Sequence, residues 1–210
     1  VKGEEVKIDA ESYYKISNYD AMRPFFMSIV SNSNHWMFLS STGGLSAGRK
    51  NSEFALFPYY TDDKITESAE FTGSKTICLV ERGNKVSLWE PFSSKYDGVY
   101  KVSRNLYKNA YGNKIRFEEI NHDLGLSFTY DWNSSDKYGY VRKSELTNLG
   151  ADAVRVRFAD GLQNLMPYGV ETALQQASSN LVDAYKKCEL EKESGLGLFS
   201  LSAVIVDKAE

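Results

Sequence analysis

The chain has 210 residues, a net charge of -3 and a pI near 5.6, so it can bury a sizeable core but lacks the basic excess expected of a nucleic-acid-binding domain. No apolar stretch approaches the length of a membrane span, and no secretory leader is visible. Cys78 and Cys188 stand far apart and form no metal-binding or redox spacing.

In chain order, alternation of apolar and polar residues dominates, the mark of half-buried strands. The first twelve residues read as an N-terminal extension and residues 13–210 as one sandwich domain cut short on its C-terminal side. A start on Val1 and a stop soon after an apolar run suggest a piece of a longer protein, from which a leader could have been removed. Strands are expected at 25–31, 35–41, 75–81, 86–90, 98–103, 115–118, 126–132, 138–144, 154–158 and 196–206. Turn signals at 32–34, 82–84, 111–113 and 133–136 separate them. Cys78 lies in the apolar run 76–80 and reads as a buried free thiol, with a single disulfide to Cys188 left open. The basic stretch from Lys95 to Arg116 reads as solvated strand faces and turns.

Between the second and third of these strands runs Gly44-Leu-Ser-Ala-Gly48, which fits the G-x-S-x-G pattern of a nucleophile elbow. An elbow needs a strand, a strained turn and a helix in a mainly parallel sheet. The residues after Gly48 show no helical period and reach Pro58. A Ser46, Asp62 or Asp63, His122 triad can be written, but nothing in the pattern assembles it. Ser46 therefore reads as a strand residue just after a glycine turn.

Residues 48–63 form a non-periodic stretch too long for an ordinary turn, mixing Arg49, Asn51, Tyr59, Tyr60, Asp62 and Asp63. Aromatic faces beside planar hydrogen-bonding groups suit a sugar ring, so these six are the candidate carbohydrate-binding residues. The competing reading has Phe57, Pro58 and Tyr59 stapling the loop to the core.

Further along, Glu119-x-x-His122 resembles half of a di-iron motif but sits in a strand pattern, which sends the two side chains elsewhere. His35, beside Trp36, reads as packed or edge-exposed. Asp62-Asp63, Glu118-Glu119, Asp131 and Asp160 are the carboxylates available for glycoside cleavage, but neighbours on a strand point to opposite faces. No catalytic residue, metal ligand or cofactor is assigned. Val170, Ala173, Leu174, Ala177 and Leu181 recur at helical spacing after Pro167, predicting one helix near 171–181 against a sheet.

Several segments in one order carry a resemblance: Phe26–Ser31 with His35–Ser41, Thr42–Gly48, Ala55–Tyr59, Tyr130-Asp-Trp132, Tyr138–Arg142, Leu146–Gly150, Asp160–Pro167, Asn180–Tyr185 and Gly195–Leu201. Together they are similar to the amino-terminal domain of cellobiose- and chitobiose-phosphorylase-type enzymes, which are inverting glycoside phosphorylases. The resemblance implies a mainly β, two-layer antiparallel β-supersandwich of mutarotase-like architecture. It also implies a downstream (α/α)6 barrel holding the catalytic Asp and the phosphate co-substrate. The expected role is then non-catalytic: packing on that barrel, supporting a homodimer and lending the 49–63 loop to the rim of an oligosaccharide site. Phe57-Pro-Tyr59 departs from the family's Thr-Pro-Trp type pattern there. A cytoplasmic setting is implied, without nucleic acid or membrane. A freestanding carbohydrate-binding module is the alternative.

Overall fold

A computed structural model describes residues 1–59, 61–203 and 205. It is mainly β and antiparallel, with one main helix. The largest sheet has six strands: β1 (Lys2–Ile8), β2 (Glu11–Ser17), β8 (Val102–Asn109), β9 (Lys114–Asn121), β10 (Leu126–Ser135) and β11 (Gly139–Asn148), in that spatial order. Between β2 and β8 the chain leaves this sheet and builds two smaller ones. The first is β3 (Phe26–Ile29), β4 (His35–Ser40) and β5 (Leu45–Arg49). The second joins β6 (Gly73–Arg82) and β7 (Lys85–Trp89) to the later β12 (Arg155–Gln163), with β6 central.

Period-two alternation decides the layering. Leu126, Phe128, Tyr130 and Trp132 of β10 are buried on one face, where Tyr130 and Trp132 register with Phe117 and Ile115 of β9. Their cluster continues into Met37, Leu39, Leu45 and Ala47 of the first small sheet and Cys78, Val80 and Trp89 of the second. One core is thus shared between the large sheet and the two small ones, the arrangement of a β-sandwich. Phe117 and Tyr130 stack with centroids 4.9 Å apart, and Phe92 meets both edge-on.

Polar bonds also cross the core. Glu119 of β9 is 1% exposed and accepts from Trp89 Nε1 at 2.7 Å, the Phe92 N–H at 2.7 Å and Arg104 Nε at 2.8 Å. Arg142 of β11 forks onto Asp160 of β12 at 2.7 and 2.9 Å, and Thr76 of β6 donates to the same carboxylate. The bases of the 95–116 stretch are therefore not simply solvated. Arg104 is ion-paired inside the sandwich, Arg116 holds Asp131, and Lys114 holds Glu11.

Several boundaries differ from the sequence expectation. The first twelve residues are no separate extension, because β1 pairs with β2 along its full length. The strand expected at 98–103 begins only at Val102, after a turn at Gly98, and runs to Asn109. The turn expected at 133–136 lies at 136–138, since Asn133, Ser134 and Ser135 stay paired with Val141, Tyr140 and Gly139. Asp62–Glu67 forms a short helix, α1.

The expected helix is α2 (Thr172–Tyr185), with a non-helical Ser178 inside it. That break shifts the buried face, so Val182 is buried whereas Leu181 is 44% exposed. Val182 packs with Ala55, Met166, Val170 and Trp36. After α2, β13 (Lys186–Leu190) and β14 (Gly197–Leu201) form a hairpin. The strand expected to reach 206 is traced only to Leu201, and residues 204 and 206–210 lie outside the described residues. Both cysteines are free thiols. Cys78 is buried, which pushes its pKa up to about 11, and Cys188 is exposed.

Candidate functional site

The glycines of the G-x-S-x-G stretch are explained by close packing. A Cβ on Gly44 would lie 1.9 Å from the Ile65 carbonyl oxygen of α1. One on Gly48 would lie 2.5 Å from both the Phe54 carbonyl oxygen and the Trp36 ring. Ser46 sits between them within β5, 1% exposed, as a strand residue and not at an elbow.

The six loop candidates separate. Arg49 ends β5 and lines a cleft of about 360 Å³. Asn51 is used locally: its side chain accepts from the Glu53 N–H, and its carbonyl accepts from Trp36 Nε1. Tyr59 packs edge-on against Phe71. Asp62 and Asp63 open α1, with Asp62 accepting from the Asp63 N–H and Asp63 from the Thr61 hydroxyl. None of these four lines the Arg49 cleft. Tyr60 lies outside the described residues.

The cleft is assembled from three parts of the chain. From the first small sheet come His35 and Arg49, which are register partners at the ends of β4 and β5, with Met37 and Ala47 beneath. The β10–β11 hairpin gives Trp132 and the segment Asp136–Tyr140. Leu56, Phe57, Leu162 and Leu165 complete the apolar lining. Gly139 closes the hairpin at φ 75, and a Cβ there would meet His35 Nε2 at 3.3 Å. Glycine at this position therefore serves both the turn and the approach of the imidazole.

His35 lies edge-on to Tyr140, with ring centroids 5.3 Å apart, and its Nδ1 hydrogen-bonds the Ser33 hydroxyl. Partial burial lowers its pKa, helped by the charge of Arg49 and opposed by Asp136, so the ring is neutral at pH 7. Trp132 is 3% exposed, and its indole N–H has no hydrogen-bond partner among the described residues. The buried hydroxyl of Tyr140 has none either. Buried donors in native proteins are nearly always paired, and leaving one unmade costs about 1–3 kcal/mol. Both residues line the cleft, but both polar atoms are enclosed in its wall, so a polar ligand reaches them only as that wall shifts.

A second cleft, of about 330 Å³, is bordered by Asp20, Glu67, Glu70, Asp97 and Arg104. Four of its charged groups are ion-paired, Glu67 with Lys64 and Asp97 with Arg104 among them. Glu70 accepts from Ser93 and Ser94 and pairs with Lys75, while Arg104 is held by Glu119.

The other carboxylates are similarly committed. Glu118 faces away from Glu119 and accepts from Asn105 and Tyr107, and Asp131 is forked by Arg116. Burial would raise the Asp160 pKa, but hydrogen bonds from Arg142 and Thr76 outweigh it and hold the group below the ordinary range. The Thr61 hydroxyl chiefly lowers Asp63. A proton donor for glycoside cleavage needs the opposite shift. Glu119 and His122 part company on leaving β9: the first turns into the core, and the second bonds the Ser103 hydroxyl. No group of metal ligands occurs among the described residues.

Sequence reasoning missed Trp132 and Tyr138–Tyr140 as site residues, although both segments were among those that carry the resemblance. The available signal was a pair of aromatic triplets, Tyr130-Asp-Trp132 and Tyr138-Gly-Tyr140, flanking one turn. No helix among the described residues is long and apolar enough to cross a membrane. Neither protein-family models nor curated proteins gave a match to this chain.

Proposed function

We propose that the chain is the non-catalytic sandwich region of a larger carbohydrate-active enzyme of the inverting glycoside phosphorylase or hydrolase kind, and that its His35–Trp132–Tyr140 cleft holds a sugar. On this reading a downstream (α/α)6 barrel carries the acid that protonates the leaving oxygen while phosphate or water attacks from the opposite side. The sandwich packs on that barrel, supports a homodimer and contributes a wall of the oligosaccharide site, in the cytoplasm.

The observation that carries the sugar reading is the cleft itself. Its aromatic and aliphatic lining can stack on the C–H face of a pyranose, and the unpartnered Trp132 and Tyr140 groups, enclosed in its wall, can bond hydroxyls once that wall shifts. The packing role draws support from Ile77, Val86 and Leu88, which leave apolar surface exposed on β6 and β7.

Titration calorimetry of the chain with a panel of mono- and oligosaccharides tests this. Binding at millimolar strength or tighter is expected, weakened about tenfold by Trp132→Phe, which deletes the indole N–H but keeps an aromatic ring. Binding untouched by Trp132→Phe would move the site elsewhere, and no binding to any glycan would remove the sugar reading.

A further inference from the structure

Beyond accepting a sugar, the cleft has a charge and donor imbalance that narrows the class of sugar. The Arg49 guanidinium, exposed at the end of β5, forms no hydrogen bond or ion pair among the described residues. Lys137 extends over the Tyr138 ring at 5.1 Å and likewise has no carboxylate partner there. Against these two cations the lining offers one carboxylate, Asp136, while His35 is neutral. Trp132 Nε1–H can only donate, as can guanidinium and ammonium groups. The free groups of the cleft therefore demand acceptors and carry a net positive charge.

Resting on the sugar reading above, we propose that the cleft takes a pyranose bearing one anionic substituent, a carboxylate or a phosphate ester. The ring lies against the apolar lining, Trp132 and Tyr140 bond ring hydroxyls, and the anion meets Arg49 with Lys137 nearby. A planar guanidinium can grip either anion through two parallel N–H bonds, and charge-assisted bonds of this kind are stronger than neutral ones. The apolar lining argues against a bare anion as the ligand, because it would have nothing to cover.

The test titrates the whole chain with glucose, glucuronate, glucose 6-phosphate and inorganic phosphate at low salt. One or both charged sugars should bind about tenfold or more tightly than glucose, and which one wins distinguishes carboxylate from phosphate ester. The preference should shrink as added salt screens the exposed cations and should vanish in Arg49→Gln. Lys137→Gln should reduce it in part. Because neither side chain holds other parts of the fold, both variants should keep the parent melting temperature and circular dichroism.

Glucose binding as tightly as the charged sugars would overturn the anionic assignment while leaving the sugar reading intact. Inorganic phosphate matching glucose 6-phosphate, or an Arg49→Gln variant with its preference unchanged, would also overturn it. Absence of binding by all four probes would overturn both readings.

Discussion

Glu119 is the side chain on which the most structure converges. Its carboxylate joins β9 to Trp89 of β7, to Arg104 of β8 and to the backbone at Phe92, a non-glycine residue at φ 67. Removing one member of a buried, hydrogen-bonded charge pair costs about 3–5 kcal/mol, since the other charge is left desolvated. Glu119→Gln is expected to destabilise the chain by about 3 kcal/mol in urea unfolding. A loss below about 1 kcal/mol would mean that Arg104 finds water and the cluster is not structural. The period of the strand made it legible that Glu119 and His122 would not act together. Its true partners were not legible, because Arg104 and Trp89 reach it only through the register of β8 against β9 and the packing of one sheet on the other.

At the scale of elements, the hairpins show what a sequence reveals and what it hides. Alternation over 126–132 located β10 because burying one face leaves a strong pattern. The β1–β2 hairpin escaped notice for the opposite reason. It is an edge pair rich in charges, and its turn residues Asp9 and Ala10 take φ 49 and 68 without the Asn-Gly or Asp-Gly signature of such turns. At the β10–β11 turn the Asn-Ser-Ser-Asp composition pointed too early, since the chain reverses over residues 136–138 and Gly139 supplies the positive φ that starts the return strand. Helix α1 has six residues, too few for a helical period to stand out.

Between elements, the Arg142–Asp160 fork ties β11 to β12. The Asp160 carboxyl is held below its usual value of 3.8, so the unfolded chain binds its proton first as pH falls. Its contribution is complete above the unfolded pKa and is lost as pH drops through the folded one. The depressed His35 pKa acts earlier and in the same direction, removing stability as pH falls below about 6.5. Unfolding free energy should therefore decline from pH 7 toward pH 3. Arg142→Gln should lower it by about 2 kcal/mol at pH 7, the worth of charged hydrogen bonds, and should flatten the part below pH 4. An unchanged acid slope in that variant would contradict the assignment.

As a whole molecule, the chain joins a six-stranded sheet and two smaller ones around one aromatic core, and the cleft lies where the first small sheet meets the β10–β11 hairpin. The antiparallel class was legible in the alternation. The cleft was not, because it joins residues about a hundred positions apart, and of the five loop candidates among the described residues only Arg49 reaches it. The three tryptophans offer a direct probe. Trp36 donates its indole N–H to the Asn51 carbonyl and Trp89 to Glu119, whereas Trp132 has no partner among the described residues. In a proton–nitrogen correlation spectrum of the labelled chain, assigned with Trp→Phe variants, addition of glucose or a charged glucose derivative should move the Trp132 indole signal and leave that of Trp89 in place. A saturating sugar that leaves the Trp132 signal unmoved would contradict the account.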